Sequence, residues 1–216
     1  MNAAATVNSA DEAAAARAID FYFDFISPFG FFASLRIDDL AAKYGFVANW
    51  HSMLIGVSVV RVMGMKPLLD VPLKGPYIAR DARRYARRHG IALARDPGAN
   101  PVDPRPAGRA FNWLLQHRPD SARLFAQRAF AAYWLQGRDI SAPAVVADIA
   151  RESGLAGVQI AEGIASEEAG RLLRSSVEAS LARGVFGSPF FIVGEEPFFG
   201  VEKMELLEDW LASGGW

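Results

Sequence analysis

Two Ser-Pro pairs carry the strongest chemical signal in this chain: Ser27-Pro28 near its start and Ser188-Pro189 near its end. A residue before proline is pushed out of helical geometry, proline suits the first helical position, and serine is a preferred N-cap. Ser27 therefore opens a helix, and a helix cap alone accounts for it. The same geometry sets its hydroxyl beside unpaired backbone N–H groups at the positive end of the helix, where an anion is welcome. A ligand thiolate held there would accept a hydrogen bond from the Ser27 hydroxyl. A free thiol with pKa about 8.5 is only slightly ionised at neutral pH. The helix end offers roughly 0.3–2 kcal/mol and a hydrogen bond to a charged acceptor roughly 1.5–3 kcal/mol, so a fall of about two pKa units is within reach. Nucleophilicity drops nearly tenfold over that interval, because the Brønsted slope is about 0.4–0.5. Positioning of the thiol then matters more than its ionisation.

Ser188-Pro189 also reads in two ways. Proline is tolerated at the first position of a strand. A cis peptide bond here would instead sit beside the start of the Ser27 helix. It would leave the Ser188 backbone free to pair with an extended peptide by strand addition. The preceding Gly184-Val185-Phe186-Gly187 and a following hairpin pattern favour the second reading.

The surrounding pattern says what must position these residues. Ile19, Phe21, Phe23 and Phe25 alternate with Asp20, Tyr22 and Asp24, which predicts a strand over Ile19–Phe25. Apolar residues from Phe29 to Tyr44 recur at helical spacing, and Gly45 stands where a helix-ending glycine belongs. A second strand is expected over Phe46–Met53, with Phe46, Ala48 and Trp50 on one face, making a right-handed parallel strand–helix–strand unit. From 56 to 184 the pattern is helical, with helices expected at Pro76–His89, Ala107–His117, Ser121–Leu135, Ala142–Glu152 and Glu167–Arg183, and Ser141 and Ser166 as N-caps. Four prolines make Asp96–Pro106 a loop. Strand character returns in a hairpin, Phe190–Val193 and Pro197–Phe199, before a closing helix from Val201 to Ala212. The fold class is α/β: a thioredoxin-like core, β-α-β then β-β-α, over 19–55 and 185–216, with a large all-helical insertion over 56–184 and a frayed tail over 1–18.

Composition narrows the function classes. Among 216 residues, 51% are hydrophobic and 22% charged, enough for a buried core. A net charge of −1 argues against a nucleic-acid scaffold, and no apolar run is long enough to span a membrane. Residues 1–18 lack a secretory pattern, so a cytoplasmic protein is expected. There is no cysteine, which excludes a protein thiol, a disulfide and a thiolate metal site. His51, His89 and His117 lie in no triad-like context, there is no G-x-S-x-G elbow, and no ligand-spaced cluster predicts a metal. Arg80, Arg83, Arg84, Arg87 and Arg88 form a helical stripe that reads first as a solvated face and second as the source of one arginine for a substrate carboxylate, while Tyr133 and Trp134 fit an aromatic pocket or core packing equally.

The stretch from Asp20 to Phe29 resembles the signature of 2-hydroxychromene-2-carboxylate isomerases, kin of kappa-class glutathione transferases and DsbA-type oxidoreductases. Gly184 to Phe191 and Phe199 to Lys203 are similar to that family's closing segment. Gly64-Met65-Lys66-Pro67, Arg80 to Ile91 and Trp134 to Ile140 fit between them, so the resemblance spans about 19–212. It implies a glutathione-dependent cis–trans isomerase, with Ser27 where redox relatives keep a cysteine. The glutathione thiolate, held by Ser27, would add to the conjugated system of the chromene carboxylate or its ring-opened form, allow rotation, and leave to give trans-o-hydroxybenzylidenepyruvate. By the same resemblance Ser188 and Pro189 grip the glutathione backbone, Glu202 its γ-glutamyl amine, and Lys66 a carboxylate, and a homodimer is a common assembly of such kin. A kappa-class-like transferase, or a glutathione-binding module without catalysis, shares these features. Three positions depart from the family pattern: Met65 replaces a common asparagine, Val201-Glu202 a Ser/Asn-Asp pair, and Asp103 an asparagine.

Overall fold

The computed structural model describes residues 17–155 and 158–216, so the tail expected over 1–18 lies outside the described residues except for Arg17 and Ala18. Ala18 already belongs to β1 (Ala18–Phe23), which pairs in parallel with β2 (Val47–Ser52), Phe21 opposite Trp50. On its other side β1 runs antiparallel to β3 (Phe190–Val193), which pairs with β4 (Glu196–Phe199), giving the sheet order β2-β1-β3-β4. This is the expected thioredoxin-like strand arrangement. Ile19, Phe21 and Phe23 are fully buried on one face, and Phe21 stacks between Phe23 and Phe191 at 5.6 and 5.5 Å. Tyr22 is buried too, so the second face of β1 is covered rather than exposed.

The single helix expected after Pro28 is two. Helix α1 (Pro28–Ser34) stops at Leu35, and α2 (Ile37–Lys43) begins two residues on. The Ser34 hydroxyl donates back to Phe31 O at 2.6 Å and the Arg36 N–H to Ala33 O at 3.0 Å, so local bonds close the helix early. The break redirects the chain so that Phe31 and Phe32 on α1, and Ile37 and Ala41 on α2, all reach the core.

A π-helical turn over Gly56–Val62 opens the central segment, followed by α3 (Lys74–Arg88), α4 (Arg105–His117), α5 (Pro119–Trp134), α6 (Pro143–Glu152), α7 (Val158–Ala165) and α8 (Glu167–Ala182). Neither the π-helical turn nor α7 was expected from the pattern. Ser166 caps α8 by accepting from the Ala169 N–H at 3.2 Å. Ser141 does not cap α6: its N–H and hydroxyl both turn to Asp139 Oδ1, and Ala142 takes the N-cap position. A short 3₁₀ turn, Val201–Lys203, leads into α9 (Met204–Ser213). Among the described residues no helix is long and apolar enough to cross a membrane.

One apolar cluster joins the sheet to the helices. Phe23 and Phe25 of the N-terminal segment meet Phe130 of α5 at 5.4 and 5.0 Å, and Phe23 meets Phe111 of α4 at 5.1 Å. Buried polar ties reinforce it: Asn112 donates to Ser52 Oγ at 2.6 Å, and the Trp134 indole N–H donates to Phe25 O at 3.0 Å.

Candidate active site

Ser27 sits at the turn leaving β1, with extended backbone (φ −85°, ψ 116°) and Pro28 in the first turn of α1. Its Oγ accepts from the Gly30 N–H at 3.0 Å, the expected cap, and its hydroxyl donates to Ser188 O at 2.9 Å. The Ser188-Pro189 bond is cis. Two segments more than 160 residues apart in sequence are thus joined through one hydroxyl. Ser27 is 4% exposed and Ser188 9%, so the contact is largely withdrawn from water. Among the described residues the Ser188 N–H has no hydrogen-bond acceptor.

Gly30 makes the approach feasible. A Cβ at that position would lie 2.5 Å from Ser188 Oγ and 3.2 Å from the Ser27 Cβ. The same Ser188 Oγ accepts from the Asp24 N–H at 3.0 Å, so it is held rather than free to swing aside. On the far side of the proline, the Gly200 N–H donates to Pro189 O at 3.0 Å. Gly200 has φ 105°, a conformation that side-chain-bearing residues rarely adopt. The Glu202 carboxylate folds over it, both oxygens 2.7 Å from where a Cβ would be. Glu202 therefore lies beside the cis-proline backbone, while Val201 is buried in the core at 3% exposed. The change to valine at 201 fills a core position.

Lys66 is exposed, in the segment after the π-helical turn, and among the described residues makes no hydrogen bond to Ser27 or Ser188. Ser27 and Ser188 are hydrogen-bonded directly, and Glu202 reaches Pro189 through Gly200.

Two features were not singled out in the sequence. Phe186 and Phe199 flank the Ser188 turn with ring centroids 4.6 Å apart, yet they remain 41% and 44% exposed. The other is Asp24, which the strand alternation assigns to the polar face. It is 1% exposed. Its Oδ1 accepts from the Ile26 N–H at 3.2 Å and Oδ2 from the Ile55 N–H at 2.8 Å. Burial pushes its carboxyl up to about 7; the two N–H bonds pull the other way, and the charge of Asp103 adds to the rise. Separately, a surface cavity of about 350 Å³ is lined by Ser34, Leu35, Asp38, Asp39 and Gln127, none of them part of the Ser27 neighbourhood.

Comparisons with known proteins bear on the family and the fold. The 2-hydroxychromene-2-carboxylate isomerase of Sphingobium xenophagum is 27% identical over 196 residues, covering 90% of this chain and 98% of that protein. A solved structure of 2-hydroxychromene-2-carboxylate isomerase superposes with a TM-score of 0.76 at 24% identity, covering 91% of this chain and 94% of that one. The cytosolic disulfide reductase DsbM of Pseudomonas aeruginosa, solved with GSH, shares the fold at a TM-score of 0.62 and 19% identity, covering 91% and 96%. The model of the DSBA-like thioredoxin domain matches residues 18–212, and the chain belongs to that family.

Proposed function

We propose that this protein is a glutathione-dependent cis–trans isomerase acting on 2-hydroxychromene-2-carboxylate or a similar aromatic intermediate. The observation that carries the reading is the Ser27 hydroxyl, poised between the first turn of α1 and the backbone of a cis-proline turn with an unpaired N–H. That combination suits a thiol borne on an extended peptide. It is supported by the isomerase names of the relatives and by the GSH in the structure of DsbM.

Glutathione, when bound, would supply the thiolate that adds to the conjugated system and later leaves. The protein's own residues do the rest. The Ser188 N–H and C=O offer one donor and one acceptor to the peptide backbone, in the manner of an added strand. With Ser188 O engaged by a bound peptide, the Ser27 hydroxyl, which donates to that carbonyl here, would be released to donate to the sulfur. A neutral hydrogen bond worth about 0.5–1.5 kcal/mol is exchanged for a charge-assisted one of roughly 1.5–3 kcal/mol, so the exchange is favourable. Gly30 N–H continues to donate to Ser27 Oγ and fixes its orientation. Glu202, beside Gly200, receives the γ-glutamyl ammonium. Lys66, exposed after the π-helical turn, meets a carboxylate of glutathione or substrate. Phe186 and Phe199 give the aromatic ring of the substrate a stacking surface next to the sulfur. The division into a thioredoxin-like unit and a helical insertion over 56–184 belongs to the same proposal, the insertion walling the substrate side.

Incubation with glutathione and the chromene carboxylate, followed by product analysis, tests the reaction class. Rearranged substrate with glutathione unchanged is the expected result. A released conjugate would make the protein a kappa-class-like transferase, and binding without turnover, indifferent to Ser27→Ala, would make it a binding module.

A further inference from the structure

The Asp24 side chain takes no part in the chemistry above, yet this residue touches the Ser27 turn, Ser188 and the Ile55 end of the π-helical turn. Its carbonyl accepts from the Ser27 N–H at 3.0 Å, and its own N–H donates to Ser188 Oγ at 3.0 Å. Its two carboxyl oxygens accept from Ile26, just before Ser27, and from Ile55, at the entrance to the π-helical turn. That turn is in turn tied to the cis-proline segment, since the Ser58 hydroxyl donates to Phe186 O at 3.3 Å. A carboxylate holds two N–H donors more tightly than a neutral acid, which has a proton of its own to place.

We propose that Asp24 is a positioning residue for Ser27: its ionised carboxylate clamps the Ser27 turn to the Ile55 end of the helical insertion, and protonation slackens the clamp. The inference rests on the isomerase reading only for what the positioned hydroxyl then does. Burial brings the proton exchange close to neutral pH, with the carboxyl at about 7. Few other groups compete. The segments 28–34, 53–58 and 186–189, which surround Asp24, contain no titratable side chain. Asp103, in the loop before α4, faces it as a like charge, and Tyr133 of α5 feels its charge in return. On β1, which ends just before it, Asp20 is engaged by His51 of β2 at 3.0 Å, and Tyr22 is a phenol held un-ionised by burial.

The test is a pH titration of the full chain by NMR across neutrality, following the amides of Ile26, Ile55 and Gly30 and the Asp24 side-chain carbon. Gly30 reports on Ser27, because its N–H donates to the Ser27 hydroxyl oxygen. All four signals are expected to move together with one midpoint near 7, and the three amides to be flat in Asp24→Asn. The ratio of wild-type to Asp24→Asn glutathione affinity, which cancels the ionisation of the thiol itself, is expected to rise roughly 3- to 10-fold through the same midpoint. Movement of Ile26 and Ile55 without Gly30, a midpoint in the ordinary carboxylate range, or a ratio that ignores pH while both proteins bind would each overturn the proposal. Failure of both proteins to bind glutathione at any pH would overturn the isomerase reading instead, and the Gly30 amide would still decide the clamp. Should Asp24→Asn fail to fold, the wild-type titration alone gives the answer.

Discussion

At the scale of single residues, the site turns on how three hydroxyl or carboxyl groups are paired. Ser27 and Ser188 were legible in the sequence because a Ser-Pro pair is a local backbone instruction that needs no tertiary context. Asp24 was not, because period-two alternation assigns faces only while the strand lasts, and β1 ends at Phe23. The buried Asp24 carboxyl has a consequence for stability. Its folded-state value of about 7 lies above the ordinary 3.8, so the folded protein binds this proton more tightly than the unfolded chain. The resulting stabilisation is complete below pH 3.8, declines as pH rises from there to about 7, and is gone above that. The interval corresponds to about 4 kcal/mol. Urea unfolding at stepped pH should therefore show Asp24→Asn gaining on the wild type throughout this window; parallel curves would contradict the assignment. Global loss and local tightening of the clamp are compatible, since desolvation disfavours the charge that the two N–H groups prefer. The exposed aromatic pair gives a second expectation. Phe186→Ala should raise KM for the aromatic substrate roughly 2- to 10-fold while leaving glutathione affinity unchanged. A fall in glutathione affinity instead would mean that Phe186 supports the Ser188 turn.

At the scale of elements, glycine and proline punctuation located most helices, and the hairpin and the cap of α8 were read from their own residues. The break between α1 and α2 and the cap of α6 were decided by competition between local bonds. The Ser34 hydroxyl shortened α1, and Asp139 drew Ser141 away from α6. The crossing of α1 with the cis-proline turn depends on Gly30. Alanine favours a helix by about 0.8–1 kcal/mol over glycine. At position 30, however, its Cβ would displace Ser188 Oγ and leave the buried Asp24 N–H unpaired, at a cost of about 1–3 kcal/mol. Gly30→Ala should therefore be destabilising by up to about 2 kcal/mol in chemical denaturation, and a more stable variant would show that the turn has room to spare. The insertion is tied to the Ser27 turn by the indole of Trp134. Trp134→Phe strands the Phe25 carbonyl and should cost about 1–3 kcal/mol, measured in the same way.

At the scale of the whole molecule, the helical insertion and one face of the sheet share an apolar cluster, running from Phe21 and Phe23 through Phe130 to Ile149. The residue pattern conveyed that a helical block interrupts a thioredoxin-like core, because the switch from period two to period three-and-a-half is visible along the chain. It did not convey how the two are joined, since contacts such as Phe23 with Phe111 and Asn112 with Ser52 link distant segments. A shared core predicts cooperative unfolding. Near-ultraviolet and far-ultraviolet circular dichroism should give one coincident transition, and a separate early loss of helix would mean that the insertion unfolds by itself.

The proposed reaction depends on a bound thiolate organised by the Ser27 hydroxyl. Calorimetric titration with glutathione, comparing the wild type with Ser27→Ala in buffers of different ionisation enthalpy near neutral pH, reads both affinity and protons released. The wild type is expected to bind with proton release, and Ser27→Ala to show both weaker binding and less release. Equal affinity and equal proton release in the two proteins would contradict this and leave Ser27 as a helix cap.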